Sequence, residues 1–188
     1  MAVATMHVEA EEKLRGKINQ AGLWLFFLSE TFLFSALATA RFVIAGTSRP
    51  EHLDQLLGLG ITSILLVSSL TAYRSEVAIA RGDRKAFQRN LLATIALGLV
   101  FVVGVAFEWT TAEFELSDPF GTAFFSMTGV HAAHVVSGIG MLGLLYLLSR
   151  RGHFSAERHW GVEATIKYWH FVDVVWVFFY PILYLIGW

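Results

Sequence analysis

Five long apolar runs, separated by short polar punctuation, set the pattern of this chain. About 20 apolar residues at about 1.5 Å rise each cross a bilayer core about 30 Å thick. On that measure the pattern predicts spans over residues 22–45, 56–79, 91–109, 120–148 and 164–187. The second run is interrupted earliest, where Arg74 and Glu76 follow Tyr73. Turn signals fall between the runs: Gly46-Thr47-Ser48-Arg49-Pro50, Arg81-Gly82-Asp83, Ser117-Asp118-Pro119 and Arg151-Gly152-His153. Connections this short place neighbouring helices antiparallel in one bundle. The expected architecture is an all-α membrane protein, a five-transmembrane-helix antiparallel bundle. Residues 1–20 form a polar surface segment, and residues 21–188 a single domain without repeats or linkers. The first apolar run is long enough to span and is not followed by an A-x-A-like site, so no cleavable leader is expected.

Charge gives the bundle a direction. Lys13, Arg15, Lys17, Arg74, Arg81, Arg84, Lys85, Arg89, Arg150, Arg151 and Arg158 fall on one side of the predicted spans. Arg41 and Arg49 fall on the other, where the third loop carries Glu113, Glu115 and Asp118. Basic loops stay on the cytoplasmic side, so the N-terminus is expected in the cytoplasm and the C-terminus outside. Tyr184 and Trp188 are expected to anchor the outer interface of the last helix, and Trp109 that of the third.

Composition agrees. The chain is 55% hydrophobic and 15% charged, against about 25% charged in soluble domains. A net charge of −1 argues for neither a nucleic acid nor an acidic partner. There is no cysteine, which removes disulfides, iron–sulfur clusters, thiolate zinc sites and cysteine nucleophiles.

What stands out against the apolar background is a set of ionisable residues inside the spans. Such residues face a protein interior, pair with one another, or serve function. Glu30 lies about 12 Å into the first span by helical rise, where a lone carboxylate is expected to be protonated or hydrogen-bonded. It reads as a proton-relay or lipid-contacting group, or as a neutral side chain tying helices together. His131 and His134 lie three apart on one face of the fourth helix, and His170 and Asp173 repeat that spacing on the fifth. An imidazole donating to a carboxylate across these helices would lower the cost of burying both. Lys167 extends the stripe by one turn. Glu108, near the end of the third helix beside Trp109, is expected to snorkel to the interface. The aromatic stripe that begins at Trp24 reads as a lipid groove or as ordinary packing surface. Gly129, Ala133, Ser137 and Gly140 are expected to allow close helix approach on the fourth helix.

Three chemistries fit these residues. One is a hydrogen-bonded or proton-handling layer without a prosthetic group. Another is a b-type haem held by His131 or His134 with His170, although an i, i+3 pair on one helix does not by itself make a bis-histidine sandwich. Glu-x-x-His pairs on two helices, which a di-iron site would need, are absent. The third is a transporter with a proton site at Glu30, but neither internal repeats nor broken helices are visible.

The segments Trp24-Leu25-Phe26-Phe27-Leu28-Ser29-Glu30, Phe124 to Val135 with His131 and His134, and Tyr168-Trp169-His170-Phe171-Val172-Asp173-Val174-Val175-Trp176 resemble subunit III of haem–copper respiratory oxidases, in order and in spacing. Ala106-Phe107-Glu108-Trp109 fits between them, and the likeness runs from about residue 20 to the C-terminus. It implies a non-catalytic subunit of a proton-pumping terminal oxidase, in the multi-pass bacterial inner membrane. Such a subunit binds no metal or cofactor itself, apart from structural phospholipids, and the haem and copper lie in partner subunits. The implied partners are oxidase subunit I directly, subunit II and the other oxidase subunits, and membrane lipids. Glu30, His131, His134, His170 and Asp173 match the family's polar positions and are candidates for proton-uptake support or lipid contact. Glu108, Lys167 and Trp24 are weaker candidates, and no catalytic residue is implied. Larger family members carry two more N-terminal helices, and this chain resembles the shorter five-helix bacterial form. A related reading is a subunit III homologue of a nitric oxide reductase system.

Overall fold

The computed structural model describes the backbone of residues 2–50 and 53–187, and the side chains of residues 11, 14–50 and 53–187. Its elements are α1 (Ala2–Ala45), α2 (Gln55–Ala80), α3 (Arg84–Thr111), α4 (Pro119–Arg150) and α5 (Trp160–Tyr180), which runs on into a π-helical turn at Pro181–Leu185. Five helices are long and apolar enough to cross a membrane, and no strand occurs among the described residues. The all-α, five-span expectation is met.

Helix boundaries depart from the apolar runs in one direction. The backbone stays helical past the point where the side chains turn polar. α3 begins at Arg84 rather than near 91, because Asp83 caps it by accepting the Ala86 amide at 3.0 Å. Arg84, Lys85 and Arg89 then occupy its first turns as exposed groups, and their long stems let the helix outrun the apolar core. Asp54 caps α2 in the same way through the Leu57 amide at 2.9 Å. α4 opens on Pro119, at a position where a missing N–H costs nothing. The polar segment before the first span is helical and continuous with it, so α1 has 44 residues. That corresponds to roughly 66 Å of helix, about twice the thickness of a bilayer core. Gly82 and Gly152 end α2 and α4 at φ 76° and 78°, a conformation that favours glycine after a helix.

Met1–Ser35 and Ala36–Trp188 are two compact units. Within the first, Trp24 and Phe27 meet edge to face with ring centroids 5.8 Å apart. Within the second, α2 packs on α3 and α5, and α4 packs on α3 and α5, which closes a ring of four helices. Lipid tails are as apolar as leucine, so the ring is held by close packing and interhelical hydrogen bonds rather than by a hydrophobic driving force. Two indoles of α5 supply both. Trp169 is fully buried and lies against glycines of two other helices. A Cβ added at Gly98 of α3 would fall 2.6 Å from its ring, and one at Gly138 of α4 would fall 2.9 Å away. Its Nε1 donates to Ser68 Oγ of α2 at 3.0 Å. About two turns further on, Trp176 donates to Thr62 Oγ1 at 2.9 Å and meets Phe101 edge to face at 4.9 Å.

The small residues singled out on α4 have a different place. Ala133, Ser137 and Gly140 are exposed, and a Cβ at Gly140 would have no described atom within 4 Å. The glycines that admit the Trp169 ring are Gly98 and Gly138. Gly138→Val should lower the thermal midpoint of the assembled protein by the equivalent of about 1–3 kcal/mol, the range for overpacking a filled core. Gly140→Ala should leave it unchanged, and thermal unfolding in mild detergent measures both.

Candidate functional site

His131 and His170 are committed to neighbouring helices, and not in the pairing that the spacing suggests. His131 is fully buried. Its Nε2–H donates to the backbone oxygen of Val172 on α5 at 3.1 Å. The Trp176 ring lies 4.7 Å away and the Phe101 ring 5.5 Å away. His134 is half-buried, and its Nδ1–H donates to Val130 one turn back at 2.8 Å. Its own carbonyl accepts from Tyr168 of α5 at 3.1 Å, and Tyr168 also meets Ser137 at 2.7 Å. His170 turns to α2, where its Nδ1 lies 2.6 Å from Ser69 Oγ. Asp173 is buried, and neither of its oxygens has a hydrogen-bond partner among the described residues.

The expected imidazole–carboxylate pair between α4 and α5 is therefore not formed. The reason is rotational: the histidines of α4 reach backbone oxygens of their own helix and α5, while His170 turns toward α2. His131 is walled in by aromatic rings and its Nε2 is occupied by a carbonyl, so the geometry does not present the open imidazole pair that a haem would need. Among the described residues no group of three or more His, Asp or Glu has a metal-holding arrangement.

Lys167 does not continue this layer inward. Its Nζ lies 3.3 Å from Glu163 Oε2 and 5.3 Å from the centre of the Trp160 ring. The other Glu163 oxygen meets His159 Nε2 at 3.3 Å. These are rim groups, and ion pairs of this exposure contribute little to stability. Trp24 is 61% exposed and Glu30 half-buried, both on α1 within the first unit.

At the opposite end of the four-helix ring, two expectations are overturned together. Glu108 does not snorkel: it is 3% exposed. Tyr184 is not an interface anchor: it is fully buried, and its hydroxyl donates to Glu108 Oε2 at 2.7 Å. The Tyr184 ring fills a notch over Gly58 of α2, where an added Cβ would fall 2.6 Å from it. Its carbonyl, left over at the chain's last helical turn, accepts from Arg49 Nη1 at 2.7 Å and Gln55 Nε2 at 3.1 Å. One phenol donor thus makes a buried carboxyl tolerable, and the π-helical turn opened by Pro181 carries the residue that supplies it. Trp109 is half in place as an anchor, with a part-exposed ring and an Nε1 that donates to Thr128 Oγ1 at 3.1 Å. Trp188 lies outside the described residues.

Two features escaped the sequence reading. Arg41 is a fully buried guanidinium that donates to the carbonyl oxygens of Gly46 and Ser48 just past α1 and stacks 5.1 Å from Phe120. A cation at a helix C-terminus meets the negative end of the helix dipole, which favours its burial there. The other is the row of hydroxyls on α2 (Thr62, Ser68 and Ser69) that receives α5. The dipeptide Ser68-Ser69 inside an apolar run was the available signal.

A family model described as "Cytochrome c oxidase subunit III" matches residues 3–188. The chain is 36% identical over 179 residues to cytochrome c oxidase subunit 3 of Dugong dugon, covering 88% of this chain and 69% of that protein. It is 35% identical over 179 residues to the Equus caballus protein of the same name, with the same coverage. It is 34% identical over 172 residues to cytochrome c oxidase subunit 3 of Thermostichus vulcanus, covering 88% of this chain and 86% of that protein.

Tyr184→Phe removes the one donor that the described residues give the Glu108 carboxyl and should cost about 1–3 kcal/mol, the cost of stranding a buried acceptor. Adding Glu108→Gln should cost less in that background than alone, since the two side chains form one contact. Chemical or thermal unfolding of the four variants measures the coupling.

Proposed function

The chain belongs to the cytochrome c oxidase subunit III family, and we propose that it serves as the non-catalytic, lipid-binding partner of catalytic subunit I in a proton-pumping haem–copper terminal oxidase. Family membership makes it a multi-pass membrane subunit of a respiratory oxidase. The finer role is to support proton uptake by subunit I and to keep that subunit stable during turnover. One observation carries this reading. His131 of α4 and His170 of α5 make helix-to-helix hydrogen bonds (to Val172 and to Ser69) rather than a ligand set. A chain built this way holds its shape beside a redox subunit and leaves the haem and copper to its partners. Within it, Glu30, His131, His134, His170 and Asp173 are the groups through which proton uptake or lipid contact is supported, with Glu108, Lys167 and Trp24 secondary.

The orientation follows from charge. The exposed Arg81, Arg84, Lys85, Arg89, Arg150, Arg151 and Arg158 lie in the loops that the positive-inside rule assigns to the cytoplasm. The bacterial inner membrane is the proposed location, and a cyanobacterial relative spanned over 86% of its length supports it. The relatives are named as subunits of cytochrome c oxidase, which favours an oxidase core over a nitric oxide reductase.

Affinity purification of the tagged chain from its native membrane is expected to bring down a subunit with haem and copper, with phospholipid retained. The haem spectrum should stay with the partner when the chain is stripped away. Recovery of the chain without an oxidase core contradicts the proposal. Glu30→Gln is expected to leave assembly intact and to slow proton uptake by the reconstituted complex. Unchanged uptake over many turnovers would reduce Glu30 to packing.

A further inference from the structure

Asp173 is the least compensated acidic group inside the four-helix ring. It is 4% exposed, and neither oxygen finds a hydrogen-bond partner among the described residues. Lys167, the basic residue on the same helix, is held by Glu163 at the rim. Ser69 of α2 lies near its carboxyl and 2.6 Å from His170 Nδ1. α3 presents Thr94 toward α2, already paired with Thr71 at 2.8 Å, and α4 presents His131, already bound to Val172. A bare carboxylate without donor or cation is the arrangement that apolar interiors do not tolerate, and such a group takes up a proton instead.

We propose that Asp173, Ser69 and His170 form a proton-holding site at midspan between α2 and α5. Asp173 carries the proton as a neutral carboxylic acid. A small carboxyl rotation brings its O–H onto Ser69 Oγ, and the Ser69 hydroxyl donates in turn to Nδ1 of His170. That fixes His170 as the Nε2–H tautomer. Release balances atom for atom. The carboxyl proton passes to Ser69 Oγ, the Ser69 proton passes to Nδ1, and the Nε2 proton leaves from the half-exposed imidazole. What remains is a carboxylate, an intact serine and the other neutral imidazole tautomer. Ser69 is the relay, and without it the acid and the imidazole, three residues apart on one helix, have no shared hydrogen. The inference rests on these three side chains and is independent of which redox core the chain accompanies.

Infrared difference spectroscopy of the purified complex in H2O and D2O tests it, with Asp173→Asn and Ser69→Ala as variants. The expected result is a deuterium-sensitive carboxylic-acid C=O band that Asp173→Asn abolishes. Ser69→Ala should move it to higher frequency, and Ser69→Thr, which keeps the hydroxyl, should return it. Histidine 15N labelling should show His170 Nδ1 as an unprotonated acceptor in the wild type and altered in Ser69→Ala. A carboxylate signature for Asp173 at neutral pH overturns the proposal, as does an acid band that Ser69→Ala leaves unmoved. Should Asp173→Asn fail to assemble, the Ser69 variants retain the carboxyl and decide alone.

Discussion

The structure depends on a seam of hydrogen bonds between α2 and α5. Trp176 to Thr62, Trp169 to Ser68 and His170 to Ser69 follow one another along it at 2.9, 3.0 and 2.6 Å. In hydrocarbon a polar side chain has no water to fall back on, so each such contact is close to obligatory once its helix is inserted. The seam fixes the rotation of α5. That rotation places both indoles inside the ring, with Trp169 seated against Gly98 and Gly138, and sends His170 and Asp173 toward α2 rather than α4. The midspan arrangement is thus a consequence of where α5 can satisfy its donors.

The same requirement explains the end of the ring around Tyr184. Glu108 and Arg41 are each buried where the protein provides partners of the right type: a phenol for the carboxyl, and helix-terminal carbonyls with an aromatic face for the guanidinium. The chain's last helical turn closes the ring by filling the notch at Gly58 and by taking hydrogen bonds from the α1–α2 connection. Shape in a membrane protein is set by contacts of this kind. The proposed role beside subunit I asks for a rigid partner, and contacts of this kind between helices supply rigidity.

Spans, their number and the helical class were legible in the sequence because apolar length is a direct physical requirement of the bilayer. Helix ends were less so, since the apolar run stops where arginine and lysine stems begin while the backbone continues, as at Arg84. Which residues would be buried was legible for His131 and Asp173, whose charge makes them conspicuous. Their partners were not, because two polar residues on one helix face do not reveal the rotation of the neighbour. Glu108 and Tyr184 were assigned to the interface from their place near span ends. Their partnership spans 76 residues of sequence and depends on a π-helical turn that no local signal announced. Gly98 and Gly138 matter because Trp169 lies across them, which only the packed structure reveals.

The seam is tested most directly by a double-mutant cycle on its central contact, with Trp169→Phe and Ser68→Ala alone and together, read as unfolding free energy of the protein in mild detergent. The account predicts a coupling of about 0.6 kcal/mol or more, the scale measured for interhelical hydrogen bonds in membranes. Additivity within about 0.3 kcal/mol would show that the indole and the hydroxyl act separately, and would contradict the claim that α2–α5 hydrogen bonding sets the arrangement of the bundle.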